Sequence, residues 1–372
     1  MKFNCERALL FNGITIASRT VAVKSTIPAL EGLLIEADND ELIISGYNLK
    51  TGIRTRISAE VEYPGKIVLN SKLLNDIIRK MPEGTVNISV ENSFLVKLTC
   101  GLSYFEIMGS SAEDFPELPL VDIQNNICIP EKMLGDMISQ TIFAVSQNES
   151  RPVQTGSLFE ITDGVLTIVS LDGLRLALRR ERIENCSIPD MSFVVPGSAL
   201  TEVEKIASEG EETVTISLGT KHIMFSLAGT EIISRRLEGE FYDYRKALPS
   251  SSKYNLYADR KNLTDVFERV SLIINEKYKS PLRCRFGNGV LKVSSATALG
   301  KATDECNIEG DGEGMEMGFN NKFMLDALKA APADKLRLMI NSSISPCIIV
   351  PADDKENFLY LIMGVRIRTE EM

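Results

Sequence analysis

One histidine, His222, stands in 372 residues. Its isolation removes the usual general base and the commonest metal ligand from nearly the whole chain, and with them triad hydrolysis and zinc chemistry. Catalysis would have to run on carboxylates or lysines. The candidate carboxylates are Asp163 and Asp172, each followed by glycine. Asp163-Gly164 is a hairpin turn pair, and Asp172 follows an apolar run at Gly173, so both positions favour aspartate for backbone reasons. Glu309-Gly-Asp-Gly-Glu-Gly314 gathers three acids but lacks the spaced ligands and closing glutamate of a calcium loop, and it reads as a solvated acidic loop. The seven cysteines (Cys5, Cys100, Cys128, Cys186, Cys284, Cys306, Cys347) are odd in number with no C-x-x-C spacing, which argues against a disulfide framework or a zinc knuckle and for core thiols. No G-x-x-x-x-G-K-[ST] loop occurs, so P-loop ATP hydrolysis is not expected of this chain. These residue types support binding and not bond-making. No enzyme activity, cofactor or metal is expected.

A binding surface needs elements to carry it, and 372 residues are enough for two or three domains. Hydrophobic residues at 44% and charged residues at 25% are those of an ordinary globular chain. The run from Phe358 to Val365 is far short of the roughly 20 residues of a membrane helix, and Lys2, Glu6 and Arg7 fall where a signal peptide would be apolar. A cytoplasmic protein is expected. A net charge of −10 opposes indiscriminate coating of DNA, yet leaves room for a locally basic channel.

The chain repeats itself. A strand leading into a helix occurs at Lys66 to Arg79, at Ser192 to Lys205 and at Glu316 to Lys329, spaced by 126 and 124 residues. A strand-turn-strand unit precedes each, at 33–45, 157–169 and 282–294, with Asp163-Gly164 and Asn288-Gly289 as turn pairs. Asp114-Phe-Pro-Glu-Leu-Pro119 is echoed by Phe241 to Pro249 near the ends of the first and second copies. Each copy opens on a longer helical pattern, over 6–24, 131–148 and 259–279. In the last of these Leu263, Val266, Phe267, Val270, Ile273 and Ile274 share one apolar face. The spacing predicts α+β architecture in three domains, 1–122, 123–252 and 253–372, with two helices each. The six helical windows hold 15 Lys/Arg against 11 Asp/Glu, so the helices carry +4 and the remainder −14.

The three repeats, together with Met1-Lys-Phe3, Thr26-Ile-Pro28, Asp114-Phe-Pro116, Asp172-Gly-Leu-Arg-Leu176, Gly239-Glu-Phe-Tyr-Asp-Tyr-Arg245, Asn275-Glu-Lys277 and Tyr360-Leu-Ile-Met363, resemble the bacterial DNA polymerase III β subunit family, the sliding clamps. The resemblance covers essentially the full length. It implies the DNA-clamp fold in a head-to-tail homodimeric ring, with helices lining the hole and antiparallel sheets outside. Twelve helices packed about 9 Å apart set a ring of axes roughly 34 Å across, leaving around 24 Å for a duplex. The implied function is that of a processivity factor encircling duplex DNA without sequence readout. The alternative is a ring or open scaffold that binds partner peptides but does not encircle DNA.

The same resemblance implies three groups of site residues. Lys24, Arg79, Lys80, Arg151, Lys205 and Lys277 would face DNA. Phe105 and Ile107 on a strand, and Leu272 and Ile273 on the first helix of the third domain, would form the dimer contact. Replicative polymerase, clamp loader and other partners would dock a short Gln-Leu-Phe-type peptide on Leu171, Gly173, Leu174, Leu176, Tyr242, Lys246, Ala247, Ile344, Pro346, Leu361, Met363, Gly364, Val365 and Arg366. Leu174, Tyr242 and Gly364 depart from the family's commoner His, Pro and Pro. The chain runs on past Ile367 as a short tail.

Overall fold

A computed structural model describes the chain except for residues 92, 185–187, 276, 278–279, 311, 313, 354–356 and 368–372. Cys186, two acids of the glycine-rich loop and the tail after Ile367 therefore lie outside the described residues. The first third runs β1 (Lys2–Glu6), α1 (Arg7–Ser18), β2 (Gly32–Asp38), β3 (Glu41–Tyr47), β4 (Thr51–Ser58), β5 (Glu60–Tyr63), β6 (Gly65–Asn70), α2 (Ser71–Lys80), β7 (Thr85–Val90), β8 (Leu95–Cys100) and β9 (Ser103–Met108). The second runs β10 (Asn125–Pro130), α3 (Glu131–Ser139), β11 (Gly156–Thr162), β12 (Val165–Leu171), β13 (Arg175–Arg182), β14 (Met191–Pro196), α4 (Gly197–Ile206), β15 (Thr213–Leu218), β16 (His222–Leu227) and β17 (Thr230–Arg235). The third runs β18 (Tyr254–Asp259), α5 (Arg260–Ser271), β19 (Leu282–Gly287), β20 (Val290–Thr297), β21 (Gly300–Asn307), β22 (Glu309–Gly310), β23 (Glu316–Phe319), α6 (Asn321–Ala330), β24 (Lys335–Ile340), β25 (Cys347–Pro351) and β26 (Phe358–Ile362). Apart from the small additions β5 and β22, the three thirds have the same order of elements.

Local chemistry accounts for that repetition. Asp163 and Gly164, and Asn288 and Gly289, all have positive φ, as a two-residue hairpin turn requires, and Asn39 and Asp40 make the same turn in the first copy. The helices begin at side-chain caps. Asn70 accepts from the Leu73 N–H, Asp259 from that of Asn262, and Asn320 from that of Phe323.

The opening helix of each copy is shorter than the periodicity predicts. α1 ends at Ser18 because the Thr20 hydroxyl donates to the carbonyls of Ala17 and Gly46, which ties the chain to β3 instead of continuing the turn. In α3 the Thr141 hydroxyl donates back to Met137 O at 2.8 Å, and a short 3-10 turn at Ile142–Ala144 follows. α5 stops at Ser271, with Leu272 as its C-cap. Leu263, Val266, Phe267 and Val270 are buried on its apolar face, whereas Ile273 and Ile274 lie beyond the helix end. Ile274 still packs on the core, so the apolar spacing outlasts the helix. Leu272 and Ile273 are thus not helical, and Lys24 and Lys277 lie in connecting segments.

Packing follows the sheets and not the covalent order. One compact unit comprises Met1–Gly135 with Ser198–Arg236, the other Asp136–Gly197 with Leu237–Met372. The first unit holds a five-stranded sheet, β5-β1-β7-β8-β9, and an eight-stranded sheet, β10-β15-β16-β17-β4-β3-β2-β6. The second holds a nine-stranded sheet, β14-β11-β12-β13-β26-β25-β24-β18-β22, and a four-stranded sheet, β21-β20-β19-β23. All named strand pairs are antiparallel. In the second unit, strand alternation sends Ala177, Phe358, Tyr360 and Ile362 to the helix-side core and Leu176, Leu178 and Leu361 to a separate apolar cluster on the other face. The first unit has the same plan, with Leu10, Ile14, Ile44 and Leu74 in the helix-side core.

The helix layer of the first unit lies very close to its sheet at Gly46, where an added Cβ would sit 2.1 Å from Ala17 O. Gly46→Ala is expected to force α1 off β3 and to cost about 1–3 kcal/mol, measured as a lower urea midpoint at unchanged m-value.

Candidate functional site

Two seams join strands from different thirds of the chain. In the first unit β17 pairs with β4, placing Ile233 opposite Gly52. In the second unit β26 pairs with β13, placing Leu361 opposite Leu176. The hairpin beside each seam is held alike. Asn48 Oδ1 accepts from the N–H groups of Lys50 and Thr51, and Asp172 Oδ1 accepts from those of Leu174 and Arg175. The strand also leaves the seam alike: the Met363 N–H donates to Leu174 O at 2.9 Å and the Val365 N–H to Gly318 O at 2.8 Å.

Around the second seam most of the predicted peptide residues come together. Leu171, Leu176 and Leu361 are buried in one cluster with Tyr244, Ile348 and Val350, and Ala247 packs against it. Gly173 has a φ of +88°, a conformation that costs other residues strain. Leu174, Tyr242 and Met363 are exposed apolar side chains above this floor, 55%, 51% and 36% accessible. Next to them a cleft of 480 Å³ is lined by Tyr242, Lys246, Phe241, Val153 and Arg151. Arg151, expected to face DNA, stands in the wall of this cleft. Ile344, Val365 and Arg366 line a separate recess of 750 Å³ with Tyr254 and Arg283. Gly364 and half-buried Pro346 lie in the adjoining segments, where a Cβ on Gly364 would meet Ser345 O at 3.3 Å.

Sequence reasoning missed the residues that stiffen this floor. Arg175 is 8% exposed, and its Nε donates to Asp172 Oδ2 at 3.0 Å while Nη1 donates to Asp326 Oδ2 on α6 at 2.7 Å. The guanidinium also lies 4.3 Å from the centroid of the Phe323 ring. Asp172 is therefore occupied in capping the hairpin and anchoring Arg175. Glu160 accepts from the Tyr244 hydroxyl at 3.1 Å and from Arg245, which fixes the segment carrying Lys246 and Ala247. Burial, reinforced by Glu160, pushes the Tyr244 phenol above its ordinary pKa. The available signal for Arg175 was a basic residue between two leucines three positions after an aspartate.

The first seam has a different covering. Phe115 and Leu118 of the chain itself are buried over Tyr47 and Ile233, 5% and 7% exposed, and a Cβ on Gly52 would lie 2.9 Å from Leu118 Cδ2. By the repeat, Gly52 corresponds to Leu176. Lys50 and Arg235 stand where the second seam has Leu174 and Met363.

The other predicted positions scatter. Phe105 and Ile107 lie on β9, with Phe105 37% exposed and Ile107 packed on the core of its own unit. Leu272 is 82% exposed and Ile273 half-buried. Lys24, Lys80 and Lys277 are exposed. Arg79 pairs with Asp76 at 2.7 Å and Lys205 with Glu202 at 3.0 Å, each within its own helix. The six observed helices carry 11 Lys/Arg and 8 Asp/Glu, so the positive bias of the helices persists with the corrected bounds.

Burial pushes the thiols of Cys5 and Cys306 up to about 11 and that of Cys347 to about 12, so these cysteines are core groups and not nucleophiles. Cys128 is exposed. Among the described residues no group of three or more His, Cys, Asp or Glu could hold a metal ion, and no helix is long and apolar enough to cross a membrane.

Family profiles for the N-terminal, central and C-terminal domains of the DNA polymerase III beta subunit match residues 1–119, 128–243 and 245–366. This chain belongs to the DNA polymerase III beta subunit family. Its family is that of the sliding clamps, non-catalytic processivity factors of DNA replication. The beta sliding clamp of Halalkalibacterium halodurans is 32% identical over 98% of this chain and 100% of its own length. The crystal structure of a putative DNA polymerase III beta subunit from Eubacterium rectale, 32% identical, covers 99% of this chain and 100% of its own, with a TM-score of 0.92. The Pseudomonas aeruginosa clamp solved bound to griselimycin, 28% identical, has the same coverage and TM-score. The α+β reading with three clamp domains holds for this chain.

Arg175→Met should loosen the second seam by about 1–3 kcal/mol, because it leaves two carboxylates without their shared cation. Asp326→Asn, which keeps the Asp172 contact, should cost less. Urea unfolding of both variants measures the difference.

Proposed function

We propose that two copies of this clamp-family chain close head to tail into a ring around duplex DNA, holding the replicative polymerase to its template by topology. The observation that carries this reading is a rule of strand pairing. The last strand of the second third pairs with β4, and the last strand of the third pairs with β13, the equivalent of β4. By the same rule β9, the last strand of the first third, and β21, the β4 equivalent of the third, should pair with each other. Both instead lie at the open edges of their sheets. Unpaired edges invite another strand, and β9 of one copy on β21 of a second completes the pattern at two equivalent interfaces. Phe105 and Ile107 would then lie beside Leu272 and Ile273 of the partner copy, which gives the exposed Leu272 a place to be buried.

Such a ring needs little affinity for DNA. Phosphate contacts position without reading sequence, and Lys24, Lys80 and Lys277 are suited to make them. Arg79 and Lys205 would exchange an intrahelical carboxylate for a phosphate, which limits what each adds. Partners, among them the polymerase and a loader that supplies the ATP chemistry, would dock an apolar Gln-Leu-Phe-type peptide on the second seam. A leucine-rich floor with an apolar rim suits such a ligand. The griselimycin-bound relative supports a small-ligand site in this family.

Loaded by an active clamp loader with ATP, the protein should remain on nicked circular DNA at high salt and run off the same DNA once linearised. Equal, salt-sensitive binding to both forms would replace encirclement by surface electrostatics. No retention on either, with the loader proven on another clamp, would leave a peptide-binding scaffold. Replacing Leu272 and Ile273 together by Asp should give monomers, and an unchanged dimer mass in light scattering would remove them from the interface.

A further inference from the structure

Both observed seams have the same register relative to the repeat, and that register can be carried to the third, intermolecular one. Three backbone marks align the strands independently of sequence. The Leu237 N–H donates to Val194 O, the Val365 N–H to Gly318 O and the Ser110 N–H to Val68 O, so residues 110, 237 and 365 are equivalent. Counting back, Glu106 corresponds to Ile233 and Leu361. On the other strand, Asn48, Asp172 and Thr297 each accept, through the side chain, the N–H of the residue two further on. Lys301 therefore corresponds to Gly52 and Leu176. Ile233 faces Gly52 and Leu361 faces Leu176 in the two observed seams.

We propose that Glu106 of one subunit lies directly opposite Lys301 of the other, and that this cross-strand charge pair fixes the register of ring closure and selects a second copy of this chain as the partner. The inference rests on the strand-pairing reading above. Both residues are exposed and face away from the helix-side core, since Phe105 and Ile107 occupy the alternate positions on β9 and Asp304 on β21 is held by Arg269 of α5. Glu106 accepts from the Tyr104 hydroxyl and lies across from Lys97 on β8, which is itself paired with Glu91. Lys301 pairs across its hairpin with the uncharged Ala296 and has no carboxylate partner among the described residues. A one-residue slip would place Glu106 on the other face from Lys301. In the first seam a comparable cross-strand pairing is already present, with Glu231 opposite Arg54 and bonded to Arg56 at 2.8 Å.

Charge reversal tests the pair, because a head-to-tail dimer presents it twice. Glu106→Lys and Lys301→Glu should each weaken the homodimer roughly tenfold at low salt, with like charges facing each other at both interfaces. Mixed together, the two variants should form a heterodimer of near wild-type stability, since each interface then brings opposite charges together. Sedimentation at graded concentrations reads all three, and circular dichroism confirms that the variants remain folded. Homodimers unaffected by either reversal, or variants weakened singly but not restored by mixing, would overturn the register. Phe105→Asp provides the separate control. If it also leaves the dimer intact, the strand-pairing reading fails as well; if it gives monomers while the reversals do nothing, only the charge pair is lost.

Discussion

Backbone N–H and C=O groups along a strand edge have to be paired somewhere, and this constraint organises the molecule. Each third of the chain carries two edges of the kind the seams use, one on its last strand and one on the strand that closes its second hairpin, β4, β13 or β21. Joining the last strand of one third to the hairpin strand of the preceding one satisfies both, and the chain does so at β4 with β17 and at β13 with β26. Sheets therefore run across covalent domain boundaries, and the middle third is divided between two packing units. A linear array of such units necessarily ends with one unused edge of each kind.

The two faces of these sheets take different tasks. One face is closed by helices whose surface carries a small positive excess within an acidic chain. The other collects apolar side chains where two thirds meet, and the covering of that cluster differs between seams. Leu118 over Gly52 closes the first, whereas Leu176 with Ala247 leaves apolar side chains exposed at the second. Buried arginine chemistry supports the open seam, where Arg175 ties the capped hairpin to α6.

Much of this was legible in the sequence because the repeat made every weak signal recur. The turn pairs at Asp163 and Asn288 and the α+β order came from residue types with strong local preferences. Helix length did not: the apolar spacing of α5 runs on through Ile274, and only tertiary contacts show that the helix stops at Ser271. Threonine hydroxyls at Thr20 and Thr141 ended α1 and α3, signals that spacing alone does not carry. Resemblance named together residues that the fold does cluster, Leu171, Leu176 and Leu361, whereas the place of Arg151 in a cleft wall was not legible, because a lone exposed cation carries no mark of what lies beside it. The roles of Arg175, Glu160 and Tyr244 went unread, since they depend on partners distant in sequence.

The unequal covering of the two seams has a consequence for traffic on the ring. On the proposed reading, a subunit with one open seam seats one peptide at a time, and the sealed seam offers no waiting place. Visitors to the same subunit must therefore take turns, and the order of events at a replication fork would be set by how quickly each occupant vacates a single berth.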